Sequence, residues 1–320
     1  MDEVINKQFT HLKIHTQYSI CEGALRTSEL AQYCKQNKIL SVGICDSHNL
    51  CGALEFSESI AKSKTQPIIG TQINIKYKEH VGKIPFFAKN LEGYKNLIKL
   101  SSKSFLSIKD NEEPHCTIDD IEKNYKGLIL FSGTFDGLIG KLFFKNLIDE
   151  ISFLLKKFNK IFKDNFYLEI QRHNDEGEKL YEKFLLNTAN LLGLSIIATQ
   201  EVYYLEKSMH EAHDAFLCVG EKTYVNVKDR RRYTNEHYLK FTSAGLEMKT
   251  ANLEFTTGGD IISKEYLIER SRLFGSGVDG TIVLSTNSNA GSTYQDSTYG
   301  VDDANGTGIL LNGPERGAGY

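Results

Sequence analysis

The sequence predicts an α/β fold of the barrel type, and two features of the chain support this prediction. From about residue 8 to residue 200, short runs rich in β-branched residues alternate with longer segments of helical periodicity, as repeated βα units do. Polar residues also gather where several predicted strands end. Because the loops after the strands of a βα barrel converge over one mouth, we expect a site at that mouth.

The first half of this region predicts two helices and several strands. Residues 28–37 form the first predicted helix, with Ser28 as its N-cap and Leu30, Ala31 and Cys34 on one face. A buried strand is predicted at 39–45, a helix at 54–64, and strands at 71–77 and 85–89. Pro67 and Gly70 are expected to interrupt the chain before the strand at 71–77.

The second half continues the alternation. An amphipathic helix is predicted at 92–106, and Thr117 followed by Asp120 indicates the capped start of a short helix. A buried strand is predicted at 127–132, helices at 148–162 and 176–192, and strands at 166–170 and 194–198. The last two strands lead directly into polar residues, which are Gln171, Arg172, His173, Thr199, Gln200 and Glu201.

Composition excludes several classes of protein. Hydrophobic residues make up 40% of the chain and charged residues 25%, which is ordinary for a globular domain. There is no apolar run of the roughly 20 residues that a membrane span needs, and the first residues do not resemble a secretory signal. The six cysteines form no CxxC pair, which argues against a disulfide framework or a zinc knuckle. We therefore expect a cytoplasmic protein without membrane contact.

The composition changes near residue 250. Residues 251–320 hold 12 of the 26 glycines, a single lysine and no cysteine. We therefore predict one domain at 8–248 and a Gly/Ser/Asn-rich tail at 249–320 that is poorly ordered or weakly β-structured. Residues 281–285 are its clearest strand candidate. An alternative is that the tail is a fused, folded β-rich module with a binding role of its own.

A series of ordered motifs carries a resemblance to a known family. The first motifs are FTHLKIHTQYS at 9–19, EGA at 22–24, DSHNLCGALEF at 46–56, QPIIG at 66–70 and AKNLEGYKNL at 88–97. They continue with GLILFSG at 127–133, FYLEIQRH at 166–173, ATQEVYY at 198–204, EAHDAFLC at 211–218 and RYTNEHYLK at 232–240. In order and spacing, these motifs resemble the N-terminal PHP domain of bacterial replicative DNA polymerase III alpha subunits.

The resemblance covers roughly residues 8–248 and implies both a fold and a context. The implied fold is a PHP-type, distorted TIM-like (β/α)7 barrel. The implied context is DNA replication, in which such subunits are DNA-directed DNA polymerases that use Mg²⁺ in a separate polymerase core. The implied partners are that core, the proofreading exonuclease and the sliding clamp, with DNA contacted indirectly. Nothing at 249–320 resembles the core, so we expect this chain alone not to polymerise DNA.

An active PHP site gathers several metals on histidines and carboxylates, and the resemblance places several unsuitable residues at those positions. The opening His-x-His pair falls on Lys13 and His15, and a protonated lysine cannot ligate a metal. Further ligand positions fall on Glu22, Asp46, Ser47, Gln72, Thr134, Glu201 and Tyr203. A cluster of this kind needs most of its ligands to converge, so we expect a degenerate site with neither metal nor catalytic residues.

Other polar residues near these motifs complete the expected remnant site. His11, His48 and His173 are either remnant ligands or hydrogen-bonded histidines of the mouth. Lys13 is hypothesised to replace a lost metal by pairing with Glu22, Asp46 or Glu201. If a metal is retained, His15, Glu22, Asp46 and Glu201 are its expected ligands, and the metal is Zn²⁺ or Mn²⁺.

Residues 228–232 form a dense basic cluster. Lys228, Arg230, Arg231 and Arg232 are candidates for contact with nucleic acid or with a neighbouring polymerase domain, and the alternative is a solvated face. Two functions remain open from the sequence. One is a structural and assembly module, and the other is a residual metal-dependent phosphoesterase or 3′-5′ exonuclease at the barrel mouth.

Overall fold

The structure is a computed structural model. It describes residues 10–109 and 111–240, together with the backbone of four short strands that follow them in the chain. The strands of the main body are β1 (Lys13–Ile14), β2 (Ser41–Ser47), β3 (Gln66–Tyr77), β4 (His80–Ala88), β5 (Cys116–Thr117), β6 (Leu128–Phe131), β7 (Phe166–Ile170), β8 (Ile196–Ala198) and β9 (Glu201–Val202). The helices are α1 (Thr27–Gln36), α2 (Ala53–Lys62), α3 (Leu91–Leu106), α4 (Ile118–Asn124), α5 (Leu138–Phe144), α6 (Ile148–Phe162), α7 (Glu178–Leu192) and α8 (His210–Glu221).

Local sequence signals fix several of these bounds. Thr117 and Asp120 form a reciprocal capping box at the start of α4, as their spacing predicts. Helix α6 and strand β7 have the predicted bounds. The expected interruption at 67–70 is wrong, because β3 runs without a break from Gln66. Gly70 has a different reason to be glycine, since a Cβ there would lie 2.4 Å from the ring of Phe87.

The sheet is mixed and curls into a barrel-like wall. Its strand order is β2-β3-β4-β6-β7-β8, with β5 paired to β3. Strand β4 is antiparallel to both β3 and β6, whereas the β2–β3, β6–β7 and β7–β8 pairs are parallel. Strand β1 pairs in parallel with β9, and the Gly43 amide on β2 donates to the His11 carbonyl just before β1. The α/β barrel prediction is thus confirmed, in a form distorted by the reversed strand β4.

The helices cover the outer face of this wall. The largest apolar cluster lies between the sheet and helices α3 to α7, with Phe86, Leu97, Leu130, Leu154 and Phe158 among its buried members. A second cluster packs α1 and α2 against β1 and β2 through Ile14, Leu30, Ile44, Phe56 and Ile60. Within the described residues, no helix is long and apolar enough to cross a membrane.

A third apolar cluster fills one end of the barrel interior. Its members are Leu12, Cys45, Ile68, Phe87, Ile129, Phe131, Tyr167 and Ile197. On the same face, the interior residues become polar two positions further along β2 and β7, at Ser47 and Glu169, and four positions further along β3, at Gln72. In the reversed strand β4 the order is inverted, so that Lys83 lies at the polar end and Phe87 at the apolar end. The interior is therefore divided into an apolar end and a polar mouth.

The tail expected at 249–320 falls mostly outside the described residues. Its described backbone consists of Leu253–Phe255 antiparallel to Ile261–Ser263, and of Ile282–Leu284 antiparallel to Ile309–Leu311. The second of these pairs includes the strand candidate at 281–285.

Candidate site at the mouth of the barrel

Lys13 occupies the centre of the polar mouth. Its side chain is 1% exposed, and its Nζ lies 3.3 Å from Glu169 Oε1 and 3.2 Å from Glu201 Oε1. Burial alone lowers the pKa of an ammonium, but the two carboxylates outweigh it and raise the pKa of Lys13 above its ordinary value. Lys13 therefore carries a fixed positive charge and offers no lone pair to a metal.

Glu201 is the meeting point of the mouth's polar side chains. Its Oε1 lies 2.9 Å from His15 Nε2 and 3.5 Å from Gln72 Nε2, in addition to the contact with Lys13. Burial favours the neutral acid, but the charge of Lys13 and the bond to His15 hold the pKa of Glu201 well below its usual range. The other ring nitrogen of His15, Nδ1, lies 3.2 Å from Ser19 Oγ.

Both carboxylate oxygens of Asp46 accept hydrogen bonds from neighbouring residues. Its carboxylate accepts hydrogen bonds from the Thr16 amide at 2.7 Å, from the Thr16 hydroxyl at 2.8 Å and from the Ser19 hydroxyl at 2.7 Å. Burial raises the pKa of Asp46 despite these donors. Asp46 thus ties the loop after β1 to β2, and both of its oxygens are occupied.

Glu22 lies in a second ionic cluster at the rim of the mouth. Lys83 Nζ donates to Glu22 Oε1 at 2.7 Å, Arg231 Nη1 donates to the same oxygen at 2.9 Å, and the Ser47 hydroxyl donates to Oε2 at 2.5 Å. Burial favours the neutral acid, but Lys83 chiefly lowers the pKa of Glu22 to about 2. Of the three carboxylates hypothesised to pair with Lys13, the structure thus brings Glu201 into contact and joins Glu22 to other cations.

Glu169 belongs to the mouth, although sequence reasoning did not select it. It is 1% exposed, and its Oε1 accepts hydrogen bonds from Thr199 Oγ1 at 2.5 Å and Gln171 Nε2 at 3.2 Å. Burial raises the pKa of Glu169, and Lys13 opposes that shift. The available signal was a single charged residue inside the otherwise apolar strand FYLEI, at an interior position two residues after Tyr167.

An aromatic stack closes one side of the mouth. Tyr203 lies parallel to the His15 ring, with centroids 4.5 Å apart, and parallel to Tyr233 on its other face, with centroids 4.4 Å apart. Tyr203 is fully buried. Tyr233 was not among the predicted site residues, because it follows the last predicted strand by more than thirty residues and no metal-ligand position falls on its motif at 232–240.

His173 is buried with both ring nitrogens engaged. Its Nδ1 lies 3.2 Å from Glu178 Oε1, and its Nε2 accepts from the Glu201 amide at 3.1 Å. Burial lowers the pKa of His173 well below its usual value, so the ring is neutral. It stacks on His237 at 4.0 Å, and His237 Nε2 lies 2.9 Å from Asp175 Oδ2.

Residues 230–240, here called the closing segment, lie across the mouth. The His237 carbonyl accepts from the Tyr203 amide, and the Leu239 amide donates to the Tyr204 carbonyl. Thr234 Oγ1 donates to the His173 carbonyl at 2.5 Å. These bonds, together with the Tyr233 stack and the Arg231 ion pair, attach the closing segment to the strands of the barrel.

The remaining predicted residues lie apart from this centre. His11 Nε2 lies 2.8 Å from the Lys240 carbonyl, and burial lowers the pKa of His11 to about 4. Burial likewise lowers the pKa of His48 to about 4. Thr134 donates its hydroxyl hydrogen bond to Asp136. Neither the His11 contact nor the Thr134 contact brings a second predicted ligand into hydrogen-bond range.

The basic cluster at 228–232 divides into internal and exposed members. Arg230 forms a bidentate pair with Asp214, at 2.6 and 2.5 Å, and Arg231 pairs with Glu22 and Glu221. Arg232 is half exposed but lies 3.7 Å from Asp214 and donates to the Val225 carbonyl, and Lys228 is exposed. Three of the four residues therefore make internal contacts, and Lys228 faces the solvent.

The donors of the mouth do not fit a metal cluster of the kind expected in an active PHP site. The ammonium of Lys13 lies between Glu169 and Glu201, and the oxygens of Asp46 are taken by protein donors. Within the described residues, one group of three brings ligand atoms within 4.8 Å of one another, and it comprises His173, Asp175 and His237. The expected set of His15, Glu22, Asp46 and Glu201 does not form such a group in that part of the chain.

Several curated proteins are similar to this chain in sequence. Relatives named DNA polymerase III subunit alpha include one from Rickettsia bellii, 33% identical over 242 residues, and one from Caulobacter vibrioides, 33% identical over 248 residues. Each alignment covers 75% of this chain but only 21% and 22%, respectively, of the relative. The chain thus spans about a fifth of the length of the curated relatives it matches.

Solved structures and a family model complete the comparison. A two-domain protein from Bacteroides vulgatus, described as containing a predicted PHP-like metal-dependent phosphoesterase, is 11% identical with a TM-score of 0.41 and covers 97% of this chain and 84% of its own. An amidohydrolase from Chromobacterium violaceum is 10% identical with a TM-score of 0.37 and covers 61% and 87%. The family model described as PHP domain matches residues 11–173. The chain therefore belongs to the PHP domain family.

Proposed function

We propose that this chain is a structural PHP domain of a DNA polymerase III alpha subunit, in which the buried ion pairs of Lys13 with Glu169 and Glu201 take the place of the catalytic metals. The observation that carries the proposal is the buried ammonium of Lys13 between Glu169 and Glu201. A buried cation in contact with two carboxylates supplies positive charge that a metal would otherwise supply. It supplies no Lewis acid and no activated water.

The closed mouth supports the same proposal. A phosphodiester would have to reach His15 and Glu201, which are 0% and 6% exposed. Tyr203 and Tyr233 cover His15 on one side, and the closing segment is fixed by backbone hydrogen bonds on another. Hydrolysis would therefore require the closing segment to leave the barrel.

The context of the proposal comes from the relatives. Because they are named DNA polymerase III subunit alpha, we place this domain in a cytoplasmic replicase. Its role there is to pack against the polymerase core and to support assembly with the proofreading exonuclease and the sliding clamp. The DNA-directed DNA polymerase activity and its Mg²⁺ belong to the rest of such a subunit.

Metal content and phosphodiesterase activity, measured on the same purified chain, test the proposal. We expect no stoichiometric metal by elemental analysis, and no hydrolysis of a labelled single strand with added Mn²⁺ or Zn²⁺. We also expect the same melting temperature in EDTA as in Mn²⁺, because the folded state holds no ion to lose. Near-stoichiometric metal together with metal-dependent turnover would overturn the structural role.

The second candidate function is a residual metal-dependent phosphoesterase or 3′-5′ exonuclease. The close approach of His173, Asp175 and His237 is the observation that favours it. For this function, turnover must be lost in His15→Ala or His237→Ala. It must be kept in His11→Ala, because the His11 ring contacts the Lys240 carbonyl and lies outside that group. Turnover that all three variants retain points to a contaminating nuclease.

A further inference from the structure

A lysine-lined groove lies at the opposite end of the barrel from the mouth. It is bounded by the end of α4, by α6, and by the turn that leads into β7, and has a volume of about 1030 Å³. Gly127 and Leu128 at the start of β6 form part of its wall. The groove lies where β6 and β7 begin, and the mouth lies near the carboxyl ends of β2 and β7, so the two sites lie at opposite ends of the barrel.

The groove carries an excess of positive charge. Its lining includes five lysines, which are Lys126, Lys156, Lys157, Lys160 and Lys163, and three acidic residues, which are Glu92, Glu122 and Asp164. Lys157 pairs with Glu122 at 3.0 Å. Among the described residues, the other four lysines lie within 4.0 Å of no carboxylate, and all four are exposed. On a chain with a net charge of −3, this is a local concentration of unpaired cations.

Three of these lysines form a row along α6. Lys156, Lys160 and Lys163 follow one another at intervals of four and three residues, with the last just beyond the helix end, so they lie along one side of it. Successive members are separated by about 4.5–6 Å along the axis. This separation is similar to that of successive phosphates in an extended single strand of nucleic acid.

Aromatic rings lie in the same groove. Phe153 is 52% exposed, and Tyr125 is partly exposed with its ring set edge-on against buried Phe162. Proteins that bind single strands without sequence preference combine a cationic groove with aromatic rings on which bases stack. If the lysines served only to keep this face solvated, neither the concave shape nor the exposed rings would be needed.

We infer that this groove binds single-stranded nucleic acid, with the lysine row on the phosphates and with Phe153 and Tyr125 beneath the bases. The three acidic residues of the lining limit the affinity, so we expect a Kd of about 10⁻⁶–10⁻⁴ M at physiological salt, the range of non-specific binding. The inference does not depend on whether the mouth binds a metal, because the groove contains none of the residues in the ion pairs of Lys13.

Fluorescence anisotropy of a labelled twelve-nucleotide oligo(dT) strand with the full chain tests the inference. The variant Lys156→Gln/Lys160→Gln/Lys163→Gln should weaken binding at least tenfold. It should also reduce the slope of log K against log salt by roughly 2, since each lost phosphate contact removes about 0.7. Phe153→Leu, which keeps an apolar side chain but removes the ring, should weaken binding about fivefold with an unchanged salt slope.

The control variant Lys35→Gln/Lys62→Gln/Lys179→Gln removes the same charge from exposed positions on α1, α2 and α7. If it weakens binding as much as the groove variant does, attraction is diffuse and the inference is wrong. Undetectable binding of oligo(dT) at low salt also overturns it. A glutamate-rich peptide that binds more tightly than oligo(dT), with the same loss in the groove variant, assigns the groove to an acidic protein instead.

Discussion

The two ends of the barrel interior are both buried but are stabilised in different ways. At the apolar end, Phe87, Phe131 and Tyr167 pack ring against ring, with Phe87 and Phe131 centroids 4.7 Å apart. At the mouth, Lys13, Glu169 and Glu201 are equally buried but are charged. Apolar packing tolerates modest changes of shape, whereas a buried ion pair fails when one partner is removed. The mouth should therefore be the more sensitive end to single substitutions.

The largest effect is expected from Lys13→Met, which keeps the length of the side chain and removes its charge. Glu169 and Glu201 would remain buried without their cation, so the free energy of unfolding should fall by about 3–5 kcal/mol. Urea unfolding at pH 7 measures this loss. The matched control is Lys157→Met, whose partly exposed pair with Glu122 should contribute at most about 1 kcal/mol.

A triple variant tests whether the Lys13 result is electrostatic. Lys13→Met combined with Glu169→Gln and Glu201→Gln removes the stranded carboxylates, so part of the lost stability should return. If the triple variant is no more stable than Lys13→Met, packing around the lysine stem accounts for the loss and the electrostatic comparison fails.

A smaller effect is expected when the pH is lowered. Protonation of Glu22 should reduce the free energy of unfolding by an amount on the order of 3 kcal/mol. Its pKa in the folded state is lowered to about 2, mainly by Lys83 working against burial, and lies below the unfolded value of about 4.5. A lowered carboxyl pKa stabilises the fold above the unfolded value, and that stability is lost as pH falls from about 4.5 towards 2.

Comparison of the wild type with Glu22→Gln isolates this contribution. The variant should be less stable at pH 7, and the difference should shrink as pH falls towards 2. Burial raises the pKa of Asp46 and Glu169, which acts in the opposite direction in both proteins and cancels in the difference. A gap that stays constant from pH 7 to pH 2.5 would contradict the assignment to Glu22.

Gly70→Ala tests how tightly the apolar end is packed. A Cβ at this position would lie 2.4 Å from the Phe87 ring and 2.8 Å from the Phe86 carbonyl, so the ring must shift. We expect a loss of about 1–3 kcal/mol, measured by thermal unfolding. Gly193→Ala provides a contrast, because no atom lies within 4 Å of its added Cβ and only the cost of the positive φ of 63° remains.

The sequence predicted the periodic part of this molecule well and its long-range contacts poorly. Helix α6, strand β7 and the Thr117 cap depend on local pattern, and the structure has them as predicted. The reversal of β4 depends on a tight turn after Tyr77, whose sequence resembles that of any polar loop.

The candidate site shows the same limit. Lys13, His15 and Glu201 were selected because motifs carry them, and they lie together. Glu169 was missed because a charged residue in an apolar strand indicates a buried partner but does not show which residue that partner is. Tyr233 and His237 also lie in a motif, at 232–240, but they were missed because nothing local in that motif shows that the closing segment reaches the mouth through tertiary contacts.

The smallest effect is expected at the apolar end, from Phe131→Leu. The substitution removes ring contacts with Phe87 and Tyr167 but leaves no polar group unpaired, so it should cost about 1–1.5 kcal/mol. The loss should be the same at pH 5 and pH 8, because the substitution exchanges one apolar side chain for another and changes no charge. A loss as large as that of Lys13→Met would mean that both ends depend on equally exact packing, and that the charges of the mouth are incidental to the fold.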